Sequence, residues 1–276
     1  WTSIIGVVLV ALCVFIFFGG MQRLASITEK IVPIMASLYL LAGLFVLCIN
    51  VTSLPAAFGM IFKYAFNANA VLGGSIGAAI YAAVSQGAKR GLFSNEAGMG
   101  STPHAHAMAN VKRPHDQGVV AMTGVFIDTF IVLTITALVV ILGLYTGNGA
   151  LAGQITTEEL LVAENIAKTN AVQLAFGSVY GTNGGNIFVA ICLLFFAYST
   201  IIGWNFFGKL NMEYLFGKKS TKIYTVIALV FIFLGSCLSN NLVWELTDFF
   251  NYLMVIPNVI ALLALWKIVA NSAKNK

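Results

Sequence analysis

Hydrophobic positions in this chain fall in long unbroken blocks, separated by short polar segments, rather than alternating along it. Strict alternation would suggest strands, whereas continuous apolar runs approaching about twenty residues are long enough to cross a bilayer as helices. Seven such segments are predicted: Ile4 to Phe18, Ile31 to Ile49, Val71 onward, Val119 to Leu144, Ile187 to Phe207, Ile223 to Leu238, and Phe249 to Val269. The pattern is that of an all-α polytopic membrane protein, because a soluble core needs far fewer apolar runs.

Composition agrees with the pattern, with 59% hydrophobic and only 9% charged residues among 276, and a mean hydropathy of +0.90. A formal charge of +5 would point to an anionic partner in a soluble protein. Here the placement of the charges accounts for it, and nucleic acid is not implied. Arg23 and Lys30, then Lys112 and Arg113, then Lys209, Lys218, Lys219 and Lys222, and finally Lys267, Lys274 and Lys276 fall in alternate connections. The remaining connections hold only Lys63 and Lys168 beside Glu158, Glu159, Glu164 and Glu245. By the positive-inside rule the basic set is cytoplasmic, the C-terminus with it, in a multi-pass protein of the cell membrane.

Ile4 to Phe18 lacks the basic flank and small-residue cleavage site of a signal peptide. The chain begins at Trp1, already close to an apolar run, so the expectation is the later part of a longer protein. Cys13, Cys48, Cys192 and Cys237 lie in apolar runs without metal-ligand spacing, and read as small buried hydrophobes. Two connections are more than linkers. Within Asn50 to Asn69, a short stretch from Ala56 to Phe66 follows Pro55 and suits the outer surface. Thr156 to Phe176 opens on Thr156 and Thr157 followed by Glu158 and Glu159, an acid-rich helix start, with Leu160, Leu161 and Ile166 as an apolar side. Two placements are open for this external helix: folded into a transporter's mouth, or resting on the bilayer.

One segment breaks the pattern. Gly87 to Ala107, GAKRGLFSNEAGMGSTPHAHA, is polar, charged and rich in glycine, with Gly87, Gly91, Gly98, Gly100 and Pro103 as helix breakers. From Val71 to Val111 the chain is also about twice as long as one crossing needs. Either a helix ends near Ala88 and a cytoplasmic loop follows, as Lys89 and Arg90 favour, or two half-helices flank an irregular centre near residues 89–101. The apolar Leu92, Phe93 and Met99 favour the second. Unwound backbone at membrane depth survives only where protein surrounds it or where it lines a cavity, which makes it the natural place for a site.

The stretch RGLFSNEAGMGSTPHAHA, Arg90 to Ala107, with GVFIDT at Gly124 to Thr129, ITEKIVP at Ile27 to Pro33 and YSTIIGWNFFG at Tyr198 to Gly208, resembles the alanine or glycine:cation symporter family. The resemblance covers most of the chain and is weakest across Thr156 to Phe176. It implies the fold of the amino acid, polyamine and organocation transporters, with two inverted repeats of five helices. On that basis residues 1–50 close the first repeat, 51–70 form an external connector, and 71–276 form the second repeat, whose first helix is discontinuous. The earlier helices of the first repeat would complete the site. The implied activity is symport of alanine or glycine with sodium, by alternating access, with no covalent chemistry and no cofactor beyond the coupling ion.

Site residues follow from residue chemistry combined with that resemblance. Sodium takes hard oxygen ligands. Ser199 and Thr200 are adjacent hydroxyls in an apolar run, and Thr200 shares a helix face with Trp204 four residues on. The resemblance places Ser199, Thr200 and the Phe196 carbonyl at sodium, with Thr200 and Trp204 bordering the substrate. The plainer alternative is that both hydroxyls bond to carbonyls three or four residues back. In the glycine-rich stretch, Phe93, Ser94 and Asn95 are the substrate candidates, with ordinary core packing as the alternative for Phe93. Glu96 is either functional or a neutralising partner of Lys89 or Arg90, and Asp128 has no basic neighbour in sequence. His104 and His106, two apart, do not share a helix face and make a poor zinc site. Gly73, Gly74 and Gly77 suit close helix packing better than a phosphate cradle.

Three rival classes remain. Proton coupling would change only the ion. An intramembrane enzyme would need Ser94 or Ser101 aligned with His104, and a channel would need pore-lining repeats about an axis.

Overall fold

A computed structural model of the protein describes residues 2–18, 20–66, 85, 87–147, 149–152, 166 and 170–274, and their regular elements are helices, with no strand among them. In chain order the helices are α1 (Thr2–Phe17), α2 (Gly20–Ile49), α3 (Leu54–Phe66), α4 (residues 87–94), α5 (Pro103–His106), α6 (Pro114–Phe126), α7 (Leu133–Leu144), α8 (Ala171–Tyr180), α9 (Thr182–Phe216), α10 (Ser220–Cys237) and α11 (Asn240–Lys274). A six-residue π-helical turn, Ile127–Val132, joins α6 to α7 without a break.

Among the described residues, five stretches are long and apolar enough to cross a membrane: Glu29–Ile49, Pro114–Tyr145, Thr182–Phe216, Ser220–Cys237 and Asn240–Ala273. They correspond to five of the seven expected crossings. The first expected crossing is α1, an apolar helix of 16 residues. The third lies largely in 67–84 and 86, outside the described residues, as do Gly73, Gly74 and Gly77. Residues 153–165 and 167–169, which hold the acidic start of the expected external helix, are also outside them. The helix seen nearby is α8, which begins at Ala171. The stretch after Pro55, expected only to lie on the outer surface, is helical, within α3.

Helix exteriors are apolar: Phe15 and Phe231 are each 67% exposed and Leu263 71%. Large apolar side chains exposed in such numbers do not suit water, and lipid is the solvent that suits them. The cysteines divide. Cys13 and Cys192 are buried, but Cys48 and Cys237 are exposed, which corrects the expectation for those two. A thiol is small and apolar enough to face lipid as readily as protein.

The chain forms two compact units that interleave in sequence. The first comprises Trp1–Pro33, Asn95–Val125 and Phe195–Lys276, and the second Ile34–Ser94 and Phe126–Leu194. In the first, Cys13, Ile16 and Phe17 of α1 pack with Ile202 of α9, and Leu229 and Ile232 of α10 close the cluster. The end of α1 is held by Lys209, whose Nζ donates to the Phe17 carbonyl at 2.8 Å. Four C-terminal carbonyls of a helix lack intrahelical donors, and a lysine is a suitable cap.

In the second unit, Ala57 of α3 packs against Leu138 and Leu142 of α7. Phe176 of α8, fully buried, meets Tyr39 edge-on with ring centroids 5.8 Å apart and lies 5.0 Å from the Phe188 ring. Tyr39 Oη and Thr136 Oγ1 share a hydrogen bond of 2.8 Å, so a polar group inside an apolar span is satisfied across two helices.

Candidate functional site

The regular helix of α4 runs to Ser94, so Lys89 to Ser94 are wound and the irregular stretch is narrower than residues 89–101. It spans 95–102, between α4 and the short α5. Gly87 and Gly91 sit within the helix with nothing near the position of an added Cβ, so they do not by themselves unwind it. The departure starts at Asn95, whose Oδ1 accepts the Ala97 N–H at 3.1 Å in a local turn. Glu96 then adopts a left-handed φ of 59° and Gly100 one of 72°. A positive φ outside glycine is uncommon and needs surrounding contacts to hold it.

Those contacts are specific. Glu96 Oε2 accepts from Ser101 Oγ at 2.6 Å, and Glu96 Oε1 accepts from the Trp204 indole Nε1–H at 3.2 Å. The described partners of this carboxylate are therefore Ser101 and Trp204, rather than Lys89 or Arg90. From α11, Asn258 Nδ2 donates to the carbonyls of both Ala97 and Gly98 at 3.0 Å. His104 is tied in as well. Its Nδ1 lies 2.8 Å from the Ser101 carbonyl and its Nε2 3.2 Å from Asn211 Oδ1, and its ring lies 5.5 Å from that of Phe207. His106 Nδ1 instead accepts from Gln117 Nε2 at 2.7 Å, so the two histidines serve different contacts.

The predicted site residues divide between the units. Asn95, Phe196, Ser199, Thr200 and Trp204 belong to the first; Phe93 and Ser94 belong to the second. On α9, Ser199 Oγ donates to the Phe196 carbonyl at 3.0 Å, the back-bonded arrangement raised above as the plainer alternative. It also draws together two of the three oxygens proposed for sodium. Thr200 is exposed and Trp204 half-buried. In the second unit, Ser94 Oγ donates to Asp128 Oδ2 at 2.7 Å. Asp128 lies in the π-helical turn, a feature frequent at functional positions. Phe126 and Phe130 stack beside it with centroids 5.1 Å apart.

Three participants were not singled out from sequence as members of this network: Asn258, Ser101 as a partner of Glu96, and Trp204 as the other. The available signal for Asn258 was a polar residue straight after Pro257, inside an apolar span that offers it no other use.

Described residues that form helices and no strands, with lipid-suited exteriors and a non-helical segment of charged and polar residues bound by side chains from two long apolar helices, define a multi-pass membrane protein. Its sequence matches the model of the sodium:alanine symporter family over residues 2–275, and the chain belongs to that family. It is 40% identical over 271 residues to the sodium/alanine symporter AgcS of Methanococcus maripaludis, covering 98% of this chain and 56% of that protein. It is 36% identical over 272 residues to the probable sodium/glutamine symporter GlnT of Bacillus subtilis (98% and 53%). Against the sodium/proton-dependent alanine carrier protein of Bacillus sp. (strain PS3), identity is 35% over 268 residues (95% and 58%). The chain thus spans about half the length of the curated relatives it matches.

Proposed function

We propose that this chain forms part of a secondary transporter that carries alanine or glycine together with sodium, by alternating access about a site near the middle of the bilayer. The observation that carries the reading is the helix interruption at 95–102, tied through Glu96 to Trp204. Interrupted helices in inverted-repeat transporters expose backbone groups to substrate and ion. The relatives support the substrate: two of the three named above are described as carrying alanine, and all three names include sodium.

In this reading Ser199, Thr200 and the Phe196 carbonyl supply hard oxygens for sodium. Phe93, Ser94, Asn95, Thr200 and Trp204 border a small zwitterion, the bulk of Phe93 and Trp204 leaving little room beyond a methyl group. Helices of a first inverted repeat complete the site, the basic connections and the C-terminus face the cytoplasm, and no covalent step occurs. Sodium and substrate each strengthen the other's binding, and that coupling is reciprocal.

The test is uptake of labelled alanine and glycine into liposomes holding the full-length protein, with and without an inward sodium gradient. Gradient-independent equilibration would refute coupling. Thr200→Ala is expected to raise the sodium concentration for half-maximal uptake about tenfold, the factor that ~1.4 kcal/mol of lost ligation yields, with membrane insertion unchanged. An unaltered sodium dependence would remove Thr200 from the ion site.

A second reading, proton coupling, is favoured by Asp128, a carboxylate inside an apolar span whose Oδ2 is held by Ser94. The same vesicles given a pH gradient in place of sodium decide between the two.

A further inference from the structure

We infer that Glu96 is a positioning residue that fixes the rotamer of Trp204 and so sets how large a substrate side chain is admitted. The inference rests on the reading of Trp204 as a wall of the substrate pocket. An indole N–H donates only, so its direction shows where the ring must be turned, and it is turned to Glu96 Oε1 at 3.2 Å. One side meets the Phe207 ring edge-on, with centroids 6.1 Å apart. Trp204 also borders an open groove of about 540 Å³, shared with Ile201, Asn205, Tyr224, Ile227 and Phe231. Close-packed interiors lock side chains by contact on all sides. A ring next to that much space has somewhere to swing, and the hydrogen bond selects among its positions.

Glu96 is itself built to stay in place. Its second oxygen accepts from Ser101, which is 1% exposed, at 2.6 Å. Its backbone is held at a φ of 59° within a turn whose next carbonyls, Ala97 and Gly98, are clasped by Asn258. Support therefore runs from α11 through the 95–100 turn to the carboxylate, and from the carboxylate to the indole. The two hydrogen bonds occupy one oxygen each, so the carboxyl group serves both donors without rearrangement.

The test uses the full-length protein in liposomes and five variants: Glu96→Ala, Glu96→Gln, Trp204→Phe, and Glu96→Ala and Glu96→Gln each combined with Trp204→Phe. The readout is the ratio of kcat/KM for alanine to that for valine under a sodium gradient. Glu96→Ala is expected to lower the ratio about tenfold, the scale on which pocket fit discriminates extra methylenes. Glu96→Gln, whose amide oxygen still accepts from the indole, is expected to restore most of it. Trp204→Phe has no N–H to hold, so adding Glu96→Ala to it should change the ratio less than about twofold, the non-additivity expected of a contacting pair. Equal factors in the two backgrounds would overturn the inference.

A second measurement needs no transport. The emission of Trp204, taken as the difference between each protein and its Trp204→Phe counterpart, should shift in Glu96→Ala and return in Glu96→Gln. An unshifted spectrum in Glu96→Ala overturns the inference. Should the unmodified protein move no alanine under a sodium gradient, the transport reading fails while the emission difference still decides whether Glu96 holds the ring.

Discussion

Gly100→Ala is expected to eliminate sodium-driven alanine uptake and to lower the thermal stability of the detergent-solubilised protein. Gly100 has a φ of 72°, and a Cβ there would collide with the side chain of Asn258. The left-handed conformation costs a residue with a Cβ about 1–2 kcal/mol. Displacing Asn258 would also give up its two hydrogen bonds to Ala97 and Gly98, at about 1 kcal/mol each. Together that is about 3–4 kcal/mol concentrated on one turn, enough to release Glu96 from its arrangement. Gly118→Ala is the matched control. Gly118 lies inside α6, has nothing within reach of an added Cβ, and should gain roughly 1 kcal/mol of helix propensity. Wild-type uptake by Gly100→Ala would show that the turn tolerates a different shape and does not govern the site.

Gly143→Leu is expected to prevent recovery of folded, monodisperse protein on size-exclusion chromatography. Gly143 of α7 faces α8 so closely that a Cβ would sit 2.7 Å from the Ala175 Cα and 2.8 Å from its carbonyl oxygen. Backbone rather than a flexible side chain stands in the way. Small residues let membrane helices approach to this distance, where dispersion replaces the hydrophobic effect as the attraction between them. Overpacking a close contact costs about 1–3 kcal/mol even where side chains can yield. Here the α7 and α8 axes would have to separate, disturbing Phe176 next to Ala175 and its contact with Tyr39. Gly143→Ala should show a smaller loss in the same assay. A normal elution profile for Gly143→Leu would mean that α8 is free to move away.

Much of the architecture was legible because membrane helices declare themselves by apolar length alone. Val119 to Leu144, Ile187 to Phe207 and Phe249 to Val269 each fall within a long observed helical span, and Ile223 to Leu238 runs one residue past the end of α10. Their ends were less legible. α9 continues through Lys209, Asn211 and Glu213 to Phe216, since polar residues extend a helix beyond the apolar run without breaking it. Within the polar stretch regular helix persists to Ser94, because Gly87 and Gly91 weaken a helix and do not forbid one. The break begins where Asn95 offers its side chain to the backbone. Partnerships at the site were the least legible part. Glu96 stood near Lys89 and Arg90 in sequence, yet its described bonds run to Ser101 and to an indole 108 positions away. Such long-range pairing leaves no periodic trace in a single sequence.

The wide turn at Ile127–Val132 sets the angular phase of the span that contains it. At its start Asp128 is aimed at Ser94; at the far end Gly143 is aimed at Ala175. An ordinary α-helix turns about 100° per residue, so excising one residue between those two points would rotate one contact by that angle away from the other. The span could then keep its carboxylate oriented or keep its glycine against α8, but not both.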